Sequence, residues 1–150
     1  MSPATIHSGY RLINGPPSVS DYLSLRLGSG LSPRTEAQAV LALKGGWCAY
    51  HVVHEQSGAT VGMGRVISDG GWYFHVMDIA VLPEHQRKGL GNVIMTAIMD
   101  HIRQEAVPGA YVNLLADPPG RSLYRKHGFL ETALRGVGMG VLASLNQIGF

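Results

Sequence analysis

The sequence predicts an α+β domain, and three observations carry that prediction. Short runs rich in Val, Ile, Tyr and Thr, bounded by Gly, Pro and Asp, recur along the chain and read as strands. Segments with 3.6-residue periodicity read as helices, the longest at residues 90–106. The two kinds do not alternate regularly: their order is β-αα-βββ-α-β-α-β(β), a mixed, mostly antiparallel sheet of about six to seven strands with four helices.

Residues 6–13 form the first expected strand, ended by Asn14-Gly15-Pro16-Pro17. Ser18 or Ser20 then caps a helix that runs to about Leu27, with Tyr22, Leu23, Arg26 and Leu27 at helical spacing and Gly28-Ser29-Gly30 to break it. Ser32-Pro33, with Glu36, opens a second helix to about Lys44, which Gly45-Gly46 stops. Residues 47–54 and 60–67 read as antiparallel strands joined by the Glu55-Gln56-Ser57-Gly58 turn, and Asp69-Gly70-Gly71 turns the chain into a strand at 72–82. On the long helix Val93, Ile94, Ala97, Ile98 and Ile102 share one apolar face. A strand at 111–116, the Asp117-Pro118-Pro119-Gly120 turn and a short helix through His127 follow, and residues 129–141 are expected to supply one or two more strands.

At 150 residues and 45% hydrophobic content the chain is expected to be one domain, residues 1–150, with a core of its own. A formal net charge of only +2 gives no global basic field for nucleic acid; the basic residues cluster at Arg87/Lys88 and Arg121/Arg125/Lys126, which suits one polyanionic ligand better than a polymer. One cysteine, Cys48, excludes an internal disulfide and sits in an apolar strand context that favours a core thiol over a nucleophile. No apolar run reaches membrane-spanning length and no signal-peptide pattern opens the chain, so no membrane partner and a cytoplasmic location are the defaults.

The most informative segment runs from Asp78 to Gly91. It reads as a buried strand ended by Pro83, a basic turn punctuated by Gly89 and Gly91, and the start of the long helix. Such a turn binds anions: the first helical N–H groups have no internal partner, the helix dipole adds positive charge, and glycines let a ligand approach the backbone. Two familiar phosphate loops do not fit. Lys88 precedes its glycine with no Ser or Thr after it, and Ile94 occupies the third glycine position of a dinucleotide fingerprint. The Gly62-Met63-Gly64 and Gly136-Val137-Gly138-Met139-Gly140 tracts lack a following helix.

Gln86-Arg87-Lys88-Gly89-Leu90-Gly91 resembles the coenzyme A signature of the GNAT superfamily of N-acetyltransferases, including the preceding strand Asp78-Ile79-Ala80-Val81 and the Pro83-Glu84 that leads into it. A second family motif follows in Leu123-Tyr124-Arg125-Lys126-His127-Gly128-Phe129, so the resemblance spans residues 73–129. It implies the GNAT fold, in which the cofactor sits where the fourth and fifth strands splay apart, and acetyl-CoA as the acetyl donor. The implied cofactor contacts are Ile79, Ala80, Val81, Gln86, Arg87, Lys88, Gly89, Leu90, Gly91, Asn92, Asp117 and Tyr124. Backbone N–H groups of Ile79 to Val81 would polarise the thioester carbonyl, and attack would be direct, without an acyl-enzyme.

Acetyl transfer to an amine also needs a base and a proton for the leaving thiolate, because only the neutral amine attacks. Tyr124 matches the family tyrosine beside the cofactor sulfur, a phenol protonated at neutral pH that serves as acid or hydrogen-bond donor. His75 falls where some relatives carry a base, and histidine as a residue type titrates in the right range; the alternative is a histidine covering a strand edge. Strand alternation puts His75, Met77, Ile79 and Val81 on one face and Val76, Asp78 and Ala80 on the other, so Asp78 is expected to face away and to be structural unless a bulge changes the parity. Many relatives have Asn and Ala where this chain has Asp117 and Gly120, and an ionised acid cannot donate a hydrogen bond to the cofactor's amide arm.

The expected acceptor is a primary amine of a small molecule, aromatic or alkyl, met by Tyr22, Arg26, His75 and Met77; Trp47, Tyr50, Trp72, Tyr73 and Phe74 would wall a pocket or belong to the core. A protein N-terminus or lysine is the alternative within the enzyme class, and a CoA-binding module without turnover the alternative outside it. The histidines lack metal-ligand spacing, so no metal is expected. The apolar tail, Val137, Met139, Val141 and Leu142, would complete either a homodimer interface or the sheet.

Overall fold

The computed structural model describes residues 4–133 and 135–140, and the chain divides into two compact units between Leu114 and Leu115. In the first unit β1 (Tyr10–Asn14) is followed by α1 (Val19–Gly28) and α2 (Glu36–Gly45), then β2 (Cys48–His54), β3 (Thr60–Ser68) and β4 (Tyr73–Val81), a 3-10 turn (Pro83–His85), α3 (Leu90–Glu105) and β5 (Tyr111–Asn113). These strands form one mixed sheet in the order β1-β2-β3-β4-β5, antiparallel except for the last pair, where β5 runs parallel to β4. The described residues therefore hold five strands rather than six to seven, together with the four expected helices.

The start of each element follows from local chemistry. β1 begins at Tyr10 and not at residue 6, because Gly9 adopts φ +86° in a turn closed by the Tyr10 N–H on the His7 carbonyl. Ser18, not Ser20, caps α1, its Oγ accepting from the Asp21 N–H at 3.1 Å. The second helix is capped by Thr35 in a reciprocal box with Gln38, not by Ser32. Ser32 is engaged elsewhere: its carbonyl and hydroxyl both accept from Arg26. Asp69 holds the turn into β4 by accepting three N–H groups, from Gly71, Trp72 and Tyr73, and these bonds hold its carboxyl below the usual range.

The sheet is covered on both faces. α3 buries Leu90, Val93, Ile94, Met95, Ile98 and Ile102 against one face: Leu90 and Met95 join the expected stripe, and Ala97 is only partly buried. Gly62 and Gly64 make that approach close: a Cβ on Gly64 would lie 2.5 Å from Ile79 Cδ1 and 2.7 Å from Ile94 Cγ2. Their role is helix packing, not ligand approach. On the opposite face Tyr22 and Leu25 of α1 and Ala39 of α2 form a buried cluster with Met63 of β3 and Ala80 of β4.

β5 is shorter than expected, three residues rather than 111–116, because its ladder with β4 ends at the His75–Asn113 pair. The second unit contains a 3-10 turn (Pro118–Gly120) and α4 (Arg121–Lys126). Among the described residues of 129–141 no tail strand is formed, and residues 134 and 141 lie outside them. Alternating glycines at Gly136, Gly138 and Gly140 leave little side chain to pack on a neighbour, and Val137 and Met139 are exposed. The tail residues Val141 and Leu142 also lie outside the described residues.

Candidate active site

A bulge in β4 organises one side of the candidate site. Arg65 pairs with Met77 and Met63 with Ala80, so Asp78 and Ile79 together oppose Gly64. Asp78 takes φ +58°, a left-handed conformation that aspartate tolerates better than most residues. The extra residue breaks the alternation expected from sequence. Met77 shares the face of its partner Arg65, and Ala80 that of Met63, on the α1 side, whereas Ile79 and Val81 meet Gly64 and Gly62 on the α3 side. Asp78 does not face away from the α1 side: its carboxylate is 5% exposed and contacts α1.

Both Asp78 oxygens are used. Arg26 Nη1 donates to Oδ1 at 2.5 Å; Tyr22 Oη and Arg65 Nε each donate to Oδ2 at 2.6 Å. Burial alone would raise the Asp78 carboxyl, but the Tyr22 and Arg65 hydrogen bonds and the charges of Arg65 and Arg26 outweigh it, and the net shift is downward. Burial, then the bond to Asp78 and its negative charge, pushes the Tyr22 phenol upward, against a smaller pull from the two arginines. Both guanidinium groups also lie near the Tyr22 ring, 5.8 and 6.0 Å from its centroid. Tyr22, Arg26 and Met77, three of the expected acceptor residues, line one cleft of about 200 Å³ with Arg34, Gln38, Arg65 and Asp78.

His75 is not among that cleft's lining residues. Its Nδ1 lies 2.6 Å from Asn113 Oδ1, and Asn113 Nδ2 donates to the Phe74 carbonyl, which fixes the amide with its oxygen toward His75. An amide oxygen only accepts, so Nδ1 of His75 carries a proton and Nε2 is the nitrogen left to accept one. Asn113 was not legible as a partner in the sequence, because only the parallel register of β5 on β4 brings it beside His75.

The edge of β4 facing β5 has no strand partner beyond His75 among the described residues. Ile79, Ala80 and Val81 belong to this stretch. The Gln86 side chain donates back to the Val81 carbonyl at 3.0 Å. Two left-handed positions on either side of Lys88, Arg87 (φ +60°) and Gly89 (φ +74°), shape the turn before α3. Gly89 is the N-cap and no side chain caps the helix, so the dipole end of a 16-residue helix faces a turn bearing Arg87 and Lys88. Leu90, 1% exposed, anchors the turn to the core. These residues fit a pyrophosphate-bearing ligand such as coenzyme A.

In the second unit burial, followed by the charge of Asp117, raises the Tyr124 phenol. The ring packs edge-on to Phe129, and a Cβ on Gly120 would lie 2.8 Å from Tyr124 Cε2. The glycine that replaces the usual alanine thus gives this ring its room. Asp117 is exposed and makes no side-chain cap bond.

The expected pocket aromatics fall into separate groups rather than one wall. Trp47 packs on Phe74 and His101, Tyr50 bonds His101, Trp72 and Tyr73 are exposed, and Tyr22 lies in the α1 core. Burial pushes the Cys48 thiol up to about 11, which disfavours a nucleophilic thiolate. Among the described residues no helix is long and apolar enough to cross a membrane, and no group of three or more His, Cys, Asp or Glu is placed to hold a metal.

This arrangement coincides with a known family. The sequence model of the acetyltransferase (GNAT) domain matches residues 41–144. An uncharacterised N-acetyltransferase from Porphyra purpurea is 33% identical over 78 residues, which are 52% of this chain and 44% of that protein; the chain thus spans less than half the length of this relative. A solved structure from meticillin-resistant Staphylococcus aureus, described as a protein of unknown function and probable acetyltransferase, is 36% identical with a TM-score of 0.84, covering 89% of this chain and 98% of that one. A GNAT-family acetyltransferase from Streptococcus pneumoniae, at 23% identity and a TM-score of 0.73 over 90% of this chain and 98% of its own, shares the fold. The chain belongs to the GNAT acetyltransferases, a family of enzymes that transfer acyl groups.

Proposed function

We propose that the protein transfers the acetyl group of acetyl-CoA directly to a primary amine of a small molecule. The observation that carries this reading is the uncapped N-terminus of α3, opened by the left-handed Gly89 and reached through the 3-10 turn from the β4 edge that β5 leaves unpaired. Gln86, Arg87, Lys88, Gly89, Leu90, Gly91 and Asn92 would hold the pyrophosphate, through backbone N–H groups and positive charge. Acetyl-CoA supplies the acetyl group as an activated thioester. The N–H groups of Ile79 to Val81 polarise its carbonyl oxygen. His75 Nε2 takes the proton that the amine nitrogen must lose, with Nδ1 held by Asn113. The Tyr124 phenol, kept protonated by its burial, gives a hydrogen bond or proton to the leaving sulfur, and its motif supports that role. Asp117 is a further candidate contact for the cofactor's amide arm. A carbon–nitrogen bond forms as the carbon–sulfur bond breaks, and no side chain carries the acetyl group.

The test is acetyl-CoA-dependent release of free CoA thiol against arylalkylamines, polyamines, amino sugars, amino acids and short peptides, with a no-amine control. Release above control with a small-molecule class supports the reading, and release only with peptides transfers it to a protein acceptor. A flat panel with normal acetyl-CoA binding points to a binding module.

A further inference from the structure

We infer that the acceptor carries an anionic group, a carboxylate or a phosphate, beside its amine, and that Arg34 at the cleft between α1, α2 and the β3–β4 pair binds that group. The inference rests on the acetyl-transfer reading for the amine's fate and on the cleft's charge for its chemistry. The lining holds three guanidinium groups, of Arg26, Arg34 and Arg65, and one carboxylate, Asp78. Asp78 spends both oxygens on Arg26, Arg65 and Tyr22, so it has nothing left with which to neutralise Arg34. Within the pair of buried arginines themselves, one positive charge remains uncompensated by any carboxylate. Arg34 is exposed, donates only to the neighbouring Pro33 carbonyl, and makes no ion pair among the described residues.

A cleft with this balance repels a plain alkylammonium ion and attracts an anion. For a zwitterionic acceptor the two effects act together. The anionic group is held by a charge-assisted hydrogen bond, and the same positive field favours the neutral, attacking form of the amine. A lysine-rich tail or a polyamine brings no anion to such a cleft.

The experiment compares matched pairs under saturating acetyl-CoA: phosphoethanolamine against ethanolamine, and β-alanine against propylamine. The expected result is a kcat/KM about tenfold higher for the anionic member of at least one pair, the pair identifying the anion. Arg34→Gln should shrink that ratio about fivefold or more, mainly through KM, and Arg34→Lys should restore part of it. Neutral members used as well as anionic ones, or a ratio indifferent to Arg34→Gln, overturns the inference. Ligand-observed NMR of phosphoethanolamine and β-alanine, with CoA present to fill the phosphate cradle, separates this result from a failure of acetyl transfer. Binding that Arg34→Gln abolishes, without turnover of any amine, sustains the anion site and sinks the transfer reading. Failure of both anionic probes to bind overturns the inference.

Discussion

Asn113 Oδ1 sits 2.6 Å from His75 Nδ1 and thereby decides which ring nitrogen holds the proton. Replacing His75 by Gln should lower kcat by about a hundredfold or more, the usual contribution of a positioned base. Asn113→Ala frees the ring to change tautomer and should cost about tenfold. Equilibrium binding of acetyl-CoA should be retained in both variants, and loss of that binding would remove His75 from the role of base.

Tyr124→Phe should lower kcat while acetyl-CoA affinity stays within about twofold. Because burial and Asp117 raise the phenol above its ordinary 10.0, its deprotonation lies on the alkaline side of that value. Tyr124 should therefore cause no fall in kcat between neutrality and about pH 9. Gly120→Ala places a methyl against the ring and should reduce kcat by displacing it. A rate equal to wild type in the Phe variant would exclude the acid role.

Asp78 ties acid stability to the cleft. Its folded pKa lies below the usual 3.8, so the carboxylate's contribution is complete above that value and is lost as pH falls through the folded one. Asp78→Asn leaves two buried guanidinium groups without their anion and should cost about 3–5 kcal/mol near neutrality. Denaturant unfolding should show that gap at neutral pH and a smaller one at about pH 3. A pH-independent gap would mean that the carboxylate's charge is not what stabilises.

Gly89→Glu should lose acetyl-CoA binding by about a hundredfold or more, through a left-handed backbone unsuited to Glu and a negative charge at the positive end of α3. The substitution meets no neighbour within 4 Å, so the fold should survive, as circular dichroism would register. Normal binding by the folded variant would displace the cradle from residues 86–91.

Cys48, buried and with its thiol pushed to about 11, should react slowly with alkylating reagents at neutral pH, and Cys48→Ser should keep turnover near wild type. Rapid alkylation with loss of activity would reopen an acyl-enzyme route.

What the sequence disclosed depended on how local the cause was. The Gly89 turn, the α3 stripe and the strand boundaries at Asp69 and Gly45-Gly46 are written in neighbouring residues, and were legible. Of the expected acceptor residues Tyr22, Arg26, His75 and Met77, all but His75 line one cleft, and what brings them together, Asp78 held by Arg26 and Arg65, was not legible. A single left-handed residue at Asp78 reverses the strand's parity, and a bulge has no composition signal that separates it from a regular strand. The second helix start shows the same limit: the sequence pointed to Ser32-Pro33, whereas Thr35 caps the helix and Ser32 accepts from Arg26. Arg34 and Asn113 matter through elements brought beside them by the fold, a relation that periodicity does not encode.

The bond set of Arg26, Asp78 and Arg65 joins α1 to the β3–β4 pair, which lies far from it along the chain. Its consequence lies in assembly. An intermediate with the sheet formed but α1 undocked would leave Asp78 with Arg65 alone of its three side-chain partners, in a setting that is losing its water, and so would be disfavoured. Helix docking and completion of the acceptor cleft then become one cooperative event: the chain either has its charge constellation or has not yet folded.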